Sequence, residues 1–266
     1  MRPYRIFNPS GIRRHWKENA ERYGQSYKAS WTDQYAMELE VREITKRLED
    51  GDRILDAGCG NGFTALRLAS KKQVHIRGID YIPAMIQNAR KRLKAHPRLS
   101  KRVKFETGDI THRDGPSGAY DKVVALRVFI NLAHKTDVRK ALGECARVLK
   151  PRGRLLLSDA TLEGWKRLNR LRREWGLPDI PMPPFNQYLE EKEFLRLSKK
   201  DFRLLELSNF SSTYFIGTRV LKPVLIQALG LKSDPADPLA EWNKFFSELP
   251  AWGDYGTQKL FVFEKK

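Results

Sequence analysis

A chain of 266 residues, 41% hydrophobic and 31% charged, is long enough to bury a full α/β core, and its longest apolar runs are far too short to span a bilayer, so it reads as a soluble globular protein. The net charge of +18 brings nucleic acid, membrane surfaces and anionic small molecules forward as partners; residues 51–160 carry 23 basic and 10 acidic side chains, so most of the excess sits there. Only two cysteines occur, Cys59 and Cys145, without metal-like or redox-like spacing, and the basic N-terminus lacks the apolar segment of a secretory signal, which predicts reduced thiols and a cytoplasmic setting.

Residues 1–50 read as a helical preface, with Ala36, Leu39, Ile44 and Leu48 at near-helical spacing. From residue 53 onward, strand-like apolar runs alternate with amphipathic helices. "RILDA" precedes a helix at 62–71, "VHIRGID" precedes one at 83–95, and "RVKFETGD" follows. Then "YDKVVALRV" precedes a helix at 136–150, and "GRLLLSDA" one at 161–175. This alternation predicts an α/β fold with a doubly wound, mostly parallel sheet over 51–266. Runs such as Val123–Leu126 and Leu155–Leu157 are apolar without alternation, as strands covered on both faces are. Pro83 falls where a helix start tolerates a missing N–H, and Pro151 with Gly153 marks the end of a helix running through Leu149.

Beyond Asp159, a helix carrying Leu162, Trp165, Leu168, Leu171 and Trp175 runs into "GLPDIPMPPFNQY", whose four prolines forbid regular structure. A short helix at 189–199 leads to the strand "FRLLELSNFSS", and the last strand is placed at 257–265. About 45 residues separate these two strands where a hairpin would serve, and their aromatic content argues for an ordered insertion.

The stretch "DAGCGNG" at 56–62 has the pattern D-x-G-x-G-x-G between a strand and a helix. Bare glycines let a ligand approach the backbone, whereas a carboxylate at the mouth of the turn repels a pyrophosphate and suits an ammonium group. Asp80 ends the next strand, where a carboxylate can accept both hydroxyls of a ribose, and Asp109 ends the one after, within reach of an exocyclic amine. Three strand-end acids around a bare turn describe a pocket for a cationic adenosine derivative.

In order, "ILDAGCGNG", "GID", "TGDI" and "VLKPRGRLLLSD" resemble the successive motifs of class I S-adenosylmethionine-dependent methyltransferases across roughly residues 50–160. The resemblance implies a seven-stranded sheet with an antiparallel last strand, and S-adenosyl-L-methionine as cofactor over the carboxyl ends of the first strands. By that analogy Asp56, Gly58 and Gly60 line the methionine part, Asp80 meets the ribose, and Asp109 with Ile110 meets the adenine. Cys59 and Asn61 in the turn, Tyr81 and Met85 after the second strand, and Leu126 at the end of the fourth complete the implied cofactor contacts. Residues 1–50 are expected to fold over the cofactor, with Tyr27, Tyr35 and above all Trp31 closing it off.

Methyl transfer from a sulfonium is an in-line displacement, so alignment supplies most of the acceleration, and a base is needed only if the acceptor holds its proton. Arg127, Asn131 and Asp159, at the ends of the fourth and fifth strands, are expected to face the acceptor, and His134, just after the fourth, is the candidate base. Insertions at about 160–190 and 211–256 are assigned to acceptor selection. The segment "ALRVFINL" lacks the [DN]-P-P-[FY] of DNA amino-methyltransferases, neither cysteine is placed as a nucleophile, and no metal-ligand spacing occurs. The basic run at 89–104, with Arg90, Lys91, Lys94 and Arg98, reads as a solvated helix face. The favoured acceptor is a small molecule, either a sugar or glycan or a specialised metabolite, and the alternative is an RNA docked on the basic surface.

Overall fold

The computed structural model describes residues 8–112 and 115–266. The first seven residues of the preface lie outside the described residues, as do 113 and 114. The apolar runs become one seven-stranded sheet: β1 (Arg53–Ala57), β2 (His75–Asp80), β3 (Val103–Thr107), β4 (Tyr120–Leu126), β5 (Leu149–Ala160), β6 (Phe202–Ser208) and β7 (Gln258–Lys265). The strand order is β3-β2-β1-β4-β5-β7-β6, with β7 antiparallel to both of its neighbours. The first five strands in that order are parallel.

Two helices precede the sheet, α1 (Pro9–Tyr23) and α2 (Gln34–Thr45). Those following it in sequence are α3 (Phe63–Lys71), α4 (Pro83–Lys94), α5 (Lys135–Val148), α6 (Leu162–Glu174) and α7 (Glu191–Ser198). Successive strand residues feed opposite cores, as a period of two requires. Ile54, Val124, Leu156 and Val262 join the core under α2, α3 and α4, whereas Leu55, Val123, Leu157 and Phe261 join the one under α5 and α7. The preface positions Ala36, Leu39, Ile44 and Leu48 are all buried in the first of these.

One boundary differs from the sequence reading. The helix before β5 ends at Val148, and Leu149 already pairs with Tyr120; Pro151 and Arg152 form an exposed irregularity, Arg152 at φ 60°, before regular pairing resumes at Arg154. The insertion before β7 is helical, with α8 (Ser212–Ile216), a π-turn at Gly217–Leu221, α9 (Lys222–Ala228) and α10 (Glu241–Glu248). The π-turn falls where the ring of Phe246 lies against Gly217, 2.2 Å from where a Cβ would stand.

Between β1 and β4 the connections diverge, β1 leading outward to β2 and β4 the other way to β5. That divergence opens a crevice at the strands' carboxyl ends. Its floor is tightly packed: a Cβ on Gly78, in β2, would lie 2.6 Å from Cδ1 of Phe105 and 3.0 Å from Cβ of Cys59. Gly78→Ala is therefore expected to destabilise the protein by about 1–3 kcal/mol through overpacking, read from urea denaturation, with Phe105→Leu in the same chain recovering part of the loss.

Candidate active site

The turn after β1 is bare for two physical reasons. Gly58, Gly60 and Gly62 have φ of 77°, 53° and 75°, in the left-handed region that L side chains rarely adopt. The turn is also walled in, since a Cβ on Gly58 would stand 2.4 Å from Cγ2 of Val128, and one on Gly60 3.0 Å from Oγ of Ser30. Amide donors of Gly58 and Cys59 both reach Ile79 O, at 2.8 and 2.9 Å, tying the turn to β2.

The Asp80 carboxylate accepts from Gly60 N at 3.0 Å and from Ile82 N at 2.9 Å, so one side chain fixes the glycine turn and the entry to α4. Burial raises its pKa to about 6. Asp56, only 2% exposed, has its pKa pushed up to about 7 by burial and then by the charge of Asp80. Its Oδ2 has no hydrogen-bond partner among the described residues. A buried carboxylate oxygen without a donor, beside a turn with no side chains, fits an ammonium-bearing ligand and penalises an anion. Burial also pushes the Cys59 thiol up, followed by the charges of Asp56 and Asp80, so it stays protonated.

These groups form the floor of a cavity of about 520 Å³. Of the expected cofactor contacts, Asp56, Gly58, Cys59, Gly60 and Asp80 line it, as do Tyr81, Met85, Asp109, Ile110 and Leu126. Asn61 and Trp31 do not. Asn61 is fully buried and turned away, donating from Nδ2 to Gly24 O at 2.9 Å and to Ser26 O at 2.7 Å, so it clips the preface to the turn. Trp31 lies behind Arg127, whose guanidinium stands 5.2 Å from the indole centroid. Tyr27 packs on Phe63, and Tyr35 on the core.

Among the expected acceptor-side residues, Arg127 and Asn131 line the cavity and Asp159 and His134 do not. Asp159 is buried behind the turn after β4, accepting from Phe129 N at 2.9 Å, and burial holds its carboxyl well above the usual range despite the nearby Arg127 charge. His134 begins α5 and is exposed, its carbonyl accepting from Asp137 N and Val138 N. His112 does line the cavity, with Nδ1 3.2 Å from Asp109 Oδ2. No residue of 160–190 or 211–256 lines it among the described residues. Phe185 stacks on His15 with centroids 3.9 Å apart and meets the ring of Trp16, which does line the cavity, at 5.8 Å.

The sequence reading placed residues 1–50 over the cofactor with Trp31 closing it off, and two features of the structure lie outside that reading. The first is which residues make the roof. Helix α1 lies across the cavity and contributes Ile12, Arg13 and Trp16. Its N-terminus is capped by Asn8, whose side chain accepts from Gly11 N. Arg13 Nη2 donates to Tyr81 O at 3.3 Å beside β2, and Trp16 Nε1 donates to Asn131 Oδ1 at 3.2 Å beside β4. The second is Glu40 on α2, buried and ion-paired with Arg127, while its Oε1 accepts from Ser158 Oγ at 2.7 Å and Gln258 Nε2 at 3.2 Å. Arg127 itself sits at φ 58°, held by its N–H to Ser158 O at 2.8 Å and by Asn131 Nδ2 on its carbonyl at 2.7 Å. Burial lowers the Arg127 pKa to about 10, countered in part by Asp159. The amphipathic pattern of "MELEVREI" carries a signal for the apolar face of α2 and none for a buried glutamate.

A family model described as a methyltransferase domain matches residues 48–203. The chain is 36% identical over 143 residues to the 27-O-demethylrifamycin SV methyltransferase of Amycolatopsis mediterranei, spanning about half the length of that relative and half of its own. It is 31% identical to the methyltransferase GfsG of Streptomyces halstedii, over 82% of this chain and 78% of that one. The methyltransferase solved in complex with the Haloferax volcanii Trm112 methyltransferase activator superposes with a TM-score of 0.63 at 17% identity, covering 94% of this chain and 96% of that one, a likeness of fold. The ordered motifs, the seven-stranded sheet with its antiparallel last strand and the acid-rimmed glycine turn converge with these matches: the chain belongs to the methyltransferase domain family and is a class I S-adenosylmethionine-dependent methyltransferase.

Proposed function

We propose that the enzyme methylates a small specialised metabolite held between α1 and the β4–α5 connection. The observation that carries this reading is the roofed cavity: its floor takes the cofactor, and the space beside it is bounded by Trp16, Asn131, Leu132, Ala133 and Lys140. About 520 Å³ in total suits a cofactor with a compact acceptor. One relative supports it, being named for methylation of 27-O-demethylrifamycin SV, and that name favours a metabolite over the sugar or glycan also expected. Against an RNA acceptor stands the position of the basic face: Arg90, Lys91, Lys94 and Arg98 are exposed, and none of them lines the cavity. The two buried, unpaired cysteines support a cytoplasmic setting.

In this reading S-adenosylmethionine, when bound, supplies an electrophilic methyl group. Asp56 would hold its ammonium, Asp80 its ribose, and Asp109 with Ile110 its adenine, the bare turn allowing close backbone approach. Arg127 and Asn131 border the acceptor side, and Asn131 is oriented by Trp16 and by the Arg127 carbonyl. Asp159 acts at one remove by holding the turn that presents them. Helix α1 excludes water, and alignment under that roof supplies the rate.

Incubation with methyl-labelled S-adenosylmethionine and a fractionated extract should place the label in a nuclease-resistant small-molecule fraction; nuclease-sensitive label in RNA would overturn the reading. A second outcome follows from the raised carboxyls. In the ligand-free protein Asp56 and Asp80 ionise near pH 7 and 6 rather than near their unfolded values, so their neutral forms favour the fold below pH 4 and that contribution is lost as pH rises through 6 to 7. Ionisation is what an ammonium ligand needs. S-adenosylhomocysteine should therefore bind more tightly as pH rises from 5.5 to 7.5 and level off above, its thermal shift growing while the ligand-free melting temperature falls.

A further inference from the structure

The insertion of 211–256 leaves the cavity untouched yet is tied by a buried hydrogen-bonded chain to the preface. Lys222 Nζ donates to Asp237 O at 2.6 Å and to Asn243 Oδ1 at 3.0 Å, and Asn243 Nδ2 donates to the Tyr214 hydroxyl at 3.0 Å. That hydroxyl donates to Asp33 Oδ1 at 2.6 Å, and Arg219 Nη2 takes Asp33 Oδ2. Lys222, Asn243, Tyr214 and Asp33 are all buried. Asp33 also caps α2 through Ala36 N at 3.1 Å, so both of its oxygens are committed. Three residues upstream, Ser30 lines the cavity, its Oγ 3.0 Å from where a Cβ on Gly60 would stand. At the other end of the same loop, Asn61 clips Gly24 and Ser26 to the glycine turn.

We propose that the insertion serves the cofactor rather than the acceptor: through Tyr214, Asn243 and Arg219, which are positioning residues, it clamps the preface loop 24–33 as a wall against the glycine turn. A carboxylate this buried holds one geometry only while its partners are in place, because an unmatched oxygen costs far more than a matched one gains. Arg42 Nη1, donating to Ser247 O at 3.0 Å, adds a second tie between α2 and α10. The proposal rests on the acid-lined floor being the cofactor's seat.

The test is S-adenosylhomocysteine binding by calorimetry together with deuterium uptake of residues 24–33, on the full chain. Tyr214→Phe keeps the ring and removes the hydroxyl; it should weaken binding about fivefold to twentyfold and speed exchange across 24–33. Val224→Ala, in the same insertion but outside the chain of bonds, should lower the melting temperature with both readouts unchanged. Arg219→Gln, altering a side chain about a quarter exposed, leaves the Tyr214 hydroxyl on Asp33 in place and should reproduce the Tyr214→Phe effect even if that variant folds poorly. Unchanged affinity and exchange in Tyr214→Phe and Arg219→Gln, or an equal affinity loss in Val224→Ala, would overturn the clamp. Asp80→Ala separates the two claims: if it leaves affinity intact the floor is not the cofactor's seat, whereas exchange across 24–33 still reports on the clamp.

Discussion

The architecture of the site depends on one carboxylate deprived of water. Asp80 gathers the backbone of Gly60 and Ile82, so the glycine turn, the entry to α4 and the end of β2 share one anchor. Its neighbour Asp56 has no donor on Oδ2 among the described residues, and burial, followed by the Asp80 charge, raises its pKa to about 7. On the proposed reading the pair divides the work: Asp80 anchors the turn as well as meeting the ribose, and Asp56 is left to the ammonium. Such a site is unfavourable when empty and favourable when filled, which is how a fold stores affinity for a cation.

Around that floor the walls come from distant parts of the chain. The preface supplies Ser30 and the turn after β4 supplies Arg127 and Asn131, with Trp31 and Glu40 of the preface, Ser158 of β5 and Gln258 of β7 behind them. Arg127 is the meeting point, its backbone left-handed and its guanidinium shared between Glu40 and the Trp31 ring. A strained residue fixed from three sides belongs to a site whose geometry is set before the ligand arrives.

What the sequence could disclose follows from how local each feature is. Strand runs such as "KVVAL" and "RLLLS" declare a sheet covered on both faces because nothing in them alternates. The glycine turn and the strand-end acids Asp56, Asp80 and Asp109 are legible because each lies beside its element boundary. Asn61 misleads for the same reason: it shares the turn with the cofactor contacts, yet its side chain turns outward to the Gly24–Ser26 carbonyls. His134 and Asp159 sit at the right strand edge and are directed away from the cavity, one into solvent and one into the core. Trp16 could not be read at all, because its partner Asn131 is 115 positions away and the pairing is one indole to one amide. Glu40 carries no pattern signal, since a charged residue between Leu39 and Val41 looks like any solvated position.

The two long sides of α1 are attached in different ways. On one side the helix is bedded on α4, through Ala20 against Met85 and Ile82, with Asn88 Nδ2 on Ala20 O at 2.9 Å. On the other it is latched by the Trp16 bond to Asn131 and the His15–Phe185 stack. One hydrogen bond and one ring stack cost about 1–3 kcal/mol to release, which on that side alone corresponds to a released population between about half a per cent and fifteen per cent. On the proposed reading, the ligand seated on the floor lies deeper than the space beside Trp16 and Asn131, so the acceptor is the outer of the two occupants beneath this helix.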